Sequence, residues 1–221
     1  KRIQEAILPS RDALNNELKD GFILYKPKDI VSGDFYWLEK TTSYNEDSTL
    51  SERRVYFAAA DCTGHGVPGA MVSVICSNAL SKALLEEKME DTGELLDKAR
   101  EIIVNRLAKN NQDVKDGMDI SIASITYQYA ENDEYLGNKN VMQWSGANNS
   151  LWIVRKNNNV PLKCFQKQEI FELFPDIENE QNMLFEVKPD KQPVALYDKM
   201  QPFTSISITI QKGDCIYLFT D

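Results

Sequence analysis

The pattern of apolar and polar positions in the first sixty residues predicts a short helix followed by strands. Ile3, Ile7 and Leu8 have helical spacing, and Pro9 disfavours continuation of that helix. Three segments are predicted strands: GFILYKP (21–27), DFYWLEK (34–40) and VYFAAAD (55–61). The last is almost continuously apolar, which is typical of a buried strand. The polar segment TTSYNEDSTLSER between the second and third strands is a predicted hairpin loop.

Two helices and then a long series of strands are predicted for the rest of the chain. Apolar residues recur at helical period over about 67–87 and 92–110, and Thr92 is the predicted N-cap of the second helix. The predicted strands that follow are ISIASITYQ, VMQWSG, SLWIVR, VPLKCF, LFEVKP, SISITIQ and CIYLFTD. This order is an α+β pattern rather than a repeat of βαβ units. We therefore predict an α+β sandwich of two mainly antiparallel sheets, packed face to face and flanked by helices.

The organisation of the chain predicts one main domain. Residues 1–18 are expected to form a linker helix segment, and residues 19–221 the domain itself. The last predicted strand ends at Asp221, with no element after it to cover it. We therefore expect the domain to be incomplete at its C-terminus.

Composition narrows the possible partners. Hydrophobic residues make up 42% and charged residues 27% of the 221 residues, as in an ordinary globular protein. A net charge of −9 argues against a nucleic-acid partner. No apolar run approaches the roughly 18–20 residues that cross a bilayer, and acidic Glu5 interrupts the basic start of the chain. We expect a cytoplasmic protein, with no membrane contact from this segment.

The four cysteines are predicted to be buried, reduced thiols. None has CxxC spacing. A cysteine-dependent phosphatase requires arginine six positions after its cysteine, and those positions here hold Pro68, Lys82, Ile170 and Asp221. That chemistry is excluded.

Three aspartates stand at the ends of predicted strands. Asp34 begins a strand after Ser-Gly, Asp61 ends a buried strand before a glycine-rich turn, and Asp221 ends the last strand. A carboxylate at a strand tip is held by the sheet and open to solvent, and hard divalent cations prefer such oxygen ligands. Each aspartate alone is also compatible with a cap, a turn or a surface charge.

Long motifs in order along the chain resemble one family. They are QEAILPS, VSGDFYW, AAADCTGHGVPGAMVS, GMDISIAS, QWSGANNSLWIV, KPDKQPVALY and KGDCIYLFTD. They resemble the SpoIIE-like (stage II sporulation protein E) branch of the PPM-type serine/threonine phosphatases, which includes bacterial sigma-factor regulators. The fold implied is the PPM-type αββα sandwich.

The resemblance implies a metal-dependent reaction. It implies that two Mn²⁺ or Mg²⁺ ions are bound by Asp34, Asp61, Asp221 and the backbone carbonyl of Cys62. A metal-activated water would then hydrolyse phosphoserine or phosphothreonine. The implied substrate is a phosphorylated anti-sigma-factor antagonist. An upstream sensor domain and pairing between subunits as a homodimer are implied partners.

The sequence also departs from the family pattern. A further family aspartate lies beyond the TDG motif, after the last residue of this chain. Where the family often has Asn-Ala-Gly-His, this chain has SGAN (145–148). Lys28 is one candidate for a phosphate contact, with an ordinary surface lysine as the alternative.

Two further residues are candidates for the site. His65, in the GHG turn, is a candidate proton donor to the leaving alkoxide, because imidazole exchanges protons near neutral pH. It is equally compatible with a turn residue. Asp119, in GMDIS, is a candidate ligand of a further ion, with a strand-start aspartate as the alternative.

Two other functions remain open from the sequence. The first is a regulatory or dimerisation module that keeps the phosphatase fold without its activity. The second is dinucleotide binding, because GHGVPG matches G-x-G-x-x-G between a strand and a helix. The adjacent charge of Asp61, the interruption by Pro68 and the antiparallel pattern of the later strands argue against the second.

Overall fold

The computed structural model describes residues 7–18, 20–27, 30–46, 49–107, 114–129 and 135–220. Its helices are α1 (Arg11–Glu17), α2 (Gly66–Leu85) and α3 (Thr92–Leu107). Its first strands are β1 (Phe35–Tyr44), β2 (Leu50–Cys62), β3 (Met118–Tyr129), β4 (Tyr135–Ala147) and β5 (Leu151–Lys156). The remaining strands are β6 (Leu162–Gln166), β7 (Glu169–Leu173), β8 (Ile177–Glu178), β9 (Asn182–Val187), β10 (Ile206–Thr209) and β11 (Cys215–Leu218).

The described strands form two antiparallel sheets. One has seven strands in the order β1-β2-β3-β4-β10-β6-β7, and the other has four in the order β11-β5-β9-β8. Neighbouring strands pair antiparallel throughout. The predicted α+β sandwich is confirmed. The direct antiparallel pairing of β2 with β3 differs from the parallel βαβ unit of a dinucleotide-binding fold.

Two apolar cores hold the layers together. On one face of the seven-stranded sheet, α2 and α3 bury residues such as Leu80, Leu84 and Leu96 against β1–β3. On the other face, residues such as Trp144 pack against Phe185 and its neighbours from the four-stranded sheet. Successive β3 residues, Ile122 and Ala123, enter opposite cores, as the period-two pattern of that strand predicts.

Helix α2 is a core helix. By length and composition it would be able to cross a membrane, which the sequence analysis did not expect of any segment. Half of that apolar window is buried inside the fold, which accounts for its composition.

Several local predictions were wrong. The segment 21–27 has no regular structure, and its apolar Phe22 and Leu24 are exposed. The predicted hairpin loop is mostly strand, because β1 and β2 stay paired as far as Tyr44 and Leu50. Strands β7 and β8 were not predicted. Residues 1–6, which include Ile3 of the predicted opening helix, lie outside the described part of the chain.

The predicted cap of α3 was also misplaced by one residue. Asp91 accepts hydrogen bonds at its Oδ1 from the amides of Gly93 (2.9 Å) and Glu94 (3.1 Å), and its carbonyl accepts from Leu95. These are the contacts of an N-cap. Thr92 lies inside the helix and is fully buried.

Candidate active site

Asp34, Asp61 and Asp119 lie at one edge of three adjacent strands. Asp34 directly precedes β1, whose Phe35 pairs with Ala60 of β2. Asp61 pairs directly with Asp119 at the start of β3. Because β2 runs antiparallel to both neighbours, its end meets the starts of β1 and β3. Strand pairing thus places at one sheet edge three aspartates that are far apart in the sequence.

These aspartates line a cavity of about 840 Å³. Cys62 and His65 line the same cavity, so five of the six predicted site residues meet there. The sixth, Asp221, lies outside the described residues. Strand β11 ends at Leu218, which pairs with Leu151 of β5.

Gly33 lets the segment before β1 approach the end of β2 closely. A Cβ atom on Gly33 would lie 2.6 Å from the carbonyl oxygen of Cys62 and 2.9 Å from that of Gly64. It would also lie 3.4 Å from Asp61 Oδ1. The space beside these oxygens is therefore open only because residue 33 has no side chain.

Hydrogen bonds orient Asp34. The Ser32 hydroxyl donates to Asp34 Oδ2 (2.9 Å) and accepts from the Asp34 amide (3.1 Å). The Tyr25 hydroxyl donates to the Asp34 carbonyl (3.2 Å). Burial raises the pKa of Tyr25, and the negative charge of Asp34 raises it further.

The turn after Asp61 is tight. Gly64 has a φ of 87°, which favours glycine. A Cβ atom on Gly69 would lie 2.3 Å from the Gly64 carbonyl oxygen, so α2 begins in close contact with the turn. His65 is exposed at the N-cap of α2, and its side chain makes no capping hydrogen bond.

Cys62 contributes to the site through its backbone. Its thiol is buried, and a hydrogen bond with Cys76, burial, and the charges of Asp61 and Asp34 raise its pKa well above the usual value. The carbonyl oxygen is therefore the group through which Cys62 could hold a hard cation.

Asn148 and Lys115 line the cavity, and neither was a candidate site residue from the sequence. Asn148 donates from Nδ2 to Asp119 Oδ1 (2.8 Å) and has a left-handed φ of 58°. An Asn-Asn pair directly after a strand is a signal for such a turn. Lys115 also lines the cavity, and no local pattern marks it as a site residue.

The donor set suits hard divalent cations. Carboxylates of Asp34 and Asp61 and the Cys62 carbonyl are the oxygen ligands that Mg²⁺ and Mn²⁺ prefer. Within the part of the chain that the structure describes, no three His, Cys, Asp or Glu side chains are grouped closely enough to hold an ion. The two carboxylates and the carbonyl thus fit such an ion in chemistry without forming a complete ligand set.

The sequence profile of the stage II sporulation protein E (SpoIIE) family matches residues 51–221. The chain belongs to the SpoIIE family. The match covers most of the chain and includes Asp61, the glycine-rich turn and Asp119, whereas Asp34 lies before it. Comparison with curated proteins gives no match.

A solved structure shares the fold of this SpoIIE-family chain. The SiaA-PP2C domain of Pseudomonas aeruginosa is similar over 98% of this chain and 67% of its own, with a TM-score of 0.62 and 22% identity. RsbX in complex with magnesium is similar over 88% of this chain and 69% of its own, with a TM-score of 0.43 and 15% identity. The fold is that of PP2C-type, or PPM-type, phosphatase domains.

Proposed function

We propose that this SpoIIE-family domain is a metal-dependent protein serine/threonine phosphatase. The observation that carries the proposal is the meeting of Asp34, Asp61 and the Cys62 carbonyl at one open sheet edge. Membership of a family whose structural relatives are phosphatase domains supports the same reaction.

Two Mn²⁺ or Mg²⁺ ions would be held by Asp34, Asp61, Asp221 and the Cys62 carbonyl. Bound there, such ions supply a nucleophilic water and neutralise the charge of the phosphate. Asp119, held by Asn148, is the proposed ligand for a further ion.

The chain's own residues orient these groups. Ser32 holds the Asp34 carboxylate, and pairing of β2 with β3 holds Asp61 opposite Asp119. His65 is exposed at the cavity and is the proposed proton donor to the leaving serine or threonine oxygen.

The proposed substrate is a phosphorylated regulatory protein of the anti-sigma-factor antagonist type. The support is the resemblance of the chain's motifs to sigma-factor regulators. An upstream sensor domain, a homodimer and a cytoplasmic location belong to the same proposal.

The test is a substitution in the proposed metal site. Asp61→Asn should abolish Mn²⁺-dependent phosphate release from a phosphoserine peptide by the full-length protein and weaken Mn²⁺ binding in calorimetry. Asp12→Asn, on the exposed side of α1, is the matched control and should change neither.

Full turnover by Asp61→Asn would contradict the proposed metal site. Absence of turnover in the metal-loaded wild type would instead favour the alternative function, a regulatory or dimerisation module that has kept the fold.

A further inference from the structure

Lys115 is the one lysine or arginine among the described residues that line the cavity, which also include Asp34, Asp61 and Asp119. Lys28, the candidate for a phosphate contact from the sequence, lies outside the described residues. A phosphate monoester entering the cavity carries nearly two negative charges at neutral pH. The carboxylates repel this charge wherever a cation does not offset them, so a positive side chain beside them favours binding.

The backbone near Lys115 is tied to the turn that follows Asp61. The Thr63 amide donates to the Gly117 carbonyl (3.1 Å), and the Gly117 amide donates to the Thr63 hydroxyl (2.9 Å). Lys115 lies two residues before Gly117, so these bonds hold it beside the proposed metal ligands.

A second contact places an acidic residue opposite Lys115. Met118 and Val194 form an antiparallel bridge, with the Val194 amide donating to the Met118 carbonyl (2.9 Å). Lys115 precedes Met118 and Asp198 follows Val194, so both lie near this bridge. Lys115 Nζ lies 3.1 Å from Asp198 Oδ1.

This ion pair is weak enough to exchange partners. The two side chains are 60% and 80% exposed, and exposed pairs contribute little to stability because water and salt screen them. Lysine is a compact charge on a flexible stem, so the ammonium group reaches a new partner without movement of the backbone.

We propose that Lys115 binds the phosphate group of the phosphorylated side chain and that Asp198 is its partner in the empty cavity. The proposal rests on the proposed function and names a residue that determines substrate affinity. A phosphate dianion outcompetes the single charge of Asp198, because charge-assisted bonds to phosphate strengthen with its charge.

Three variants and a matched control test this assignment. Lys115→Gln should raise the KM for a phosphoserine peptide about tenfold, the loss expected for one charge-assisted hydrogen bond. Lys115→Arg should restore most of the affinity. Asp198→Asn should lower the KM, because it removes the competing carboxylate. The control, Lys199→Gln, removes the same charge from an exposed residue that does not line the cavity, and should leave the KM within about twofold, since solvent screens it.

Salt dependence gives a second readout. The difference in KM between wild type and Lys115→Gln should shrink with added NaCl, because the interaction is electrostatic. A purely structural role for Lys115 would leave that difference unchanged. Circular dichroism checks that each variant is folded.

Binding of inorganic phosphate to the Mn²⁺-loaded protein separates this inference from the proposed function. Weaker binding to Lys115→Gln than to wild type and Lys199→Gln supports the assignment, whether or not the wild type turns over peptide. The assignment of Lys115 is overturned if wild type and Lys115→Gln bind phosphate equally and have the same KM. The phosphatase proposal still stands in that case if the wild type is active.

Discussion

Gly33 controls the geometry of the site by having no side chain. The Cys62 and Gly64 carbonyl oxygens that a Cβ atom would meet belong to the backbone, so they cannot move aside as a flexible side chain does. A methyl group at residue 33 would push the segment carrying Asp34 away from the end of β2.

We therefore expect Gly33→Ala to reduce Mn²⁺ affinity and phosphate release at least tenfold while the protein remains folded, because the displaced carboxylate no longer meets the Cys62 carbonyl. Calorimetric Mn²⁺ titration and phosphate-release assays measure the effect. Gly21→Ala is the control: its Cβ would lie 3.3 Å from the Leu18 carbonyl oxygen, a tight contact that a shift of a few tenths of an ångström in this exposed segment relieves, away from the cavity. Equal Mn²⁺ affinity in Gly33→Ala and wild type would contradict this account.

The cysteines differ in reactivity for a physical reason. Burial raises the pKa of Cys164 to about 12, and the hydrogen bond with Cys76 together with burial raises the pKa of Cys62. Cys76 is buried, whereas Cys215 is exposed, so the prediction of four buried thiols was wrong for Cys215. The thiolate is the reactive form.

In the native protein at pH 8, a thiol reagent should modify one cysteine rapidly and four after denaturation. Cys215→Ser should remove the rapid phase. Rapid modification of two or more cysteines in the native protein would show that the buried thiols are more accessible than the structure indicates.

At the scale of elements, the start of α3 is tied to β4 and to the residue that precedes β10. Asp91 caps the helix and accepts a hydrogen bond from Gln143 of β4 at Oδ2 (2.9 Å) and another from the Ser205 hydroxyl at Oδ1. The Gln143 side chain in turn accepts from the Thr92 amide (2.9 Å). One carboxylate thus fixes the helix against the sheet.

Asp91→Ala should lower the free energy of unfolding by about 2–3 kcal/mol, because it removes a cap and leaves partly buried donors without a partner. Urea denaturation followed by circular dichroism measures the loss. Asp91→Asn, which keeps one acceptor oxygen, should cost less. A change below about 0.5 kcal/mol in Asp91→Ala, the size of an ordinary surface effect, would rule out this role.

At the scale of the whole molecule, a buried ion pair joins β5 to the turn between β10 and β11. Arg155 donates from Nε and Nη2 to the two oxygens of Asp214, at 2.8 and 2.7 Å. Both side chains are at least 95% buried, with 5% and 3% exposed. Arg155 also donates to the Thr209 carbonyl (3.1 Å), and the Gln211 amide donates to Asp214.

Asp214→Ala should cost about 3–5 kcal/mol of unfolding free energy, because it leaves the arginine charge buried without a partner. The double substitution Arg155→Met with Asp214→Leu should recover much of that loss. Lys82→Ala, which breaks an exposed pair with Glu86, should change stability by less than about 0.5 kcal/mol. A double variant as unstable as Asp214→Ala would contradict this explanation.

Long periodic segments were predicted well from the sequence, and irregular ones were not. ISIASIT became β3, because its alternation places successive side chains in the two cores. GFILYKP has strand composition but no partner strand, so it forms no regular structure. The charged segment EIFEL was not predicted, yet it pairs with β6 as the edge strand β7. Pairing with a neighbour outweighs composition for short strands.

The amino-acid sequence by itself determined the fold class, the family and the placement of Asp34 and Asp61 at strand ends. Hydrophobic period and motifs can be read directly along the chain, without knowledge of which distant residues are in contact. Only the tertiary structure decided which distant residues share the cavity. The register of β2 against β3 sets Asp61 opposite Asp119, and the Met118–Val194 bridge sets Lys115 beside Asp198. Local alternation decides which face of the sheet each side chain takes, whereas the pairing of remote strands decides which residues stand opposite one another.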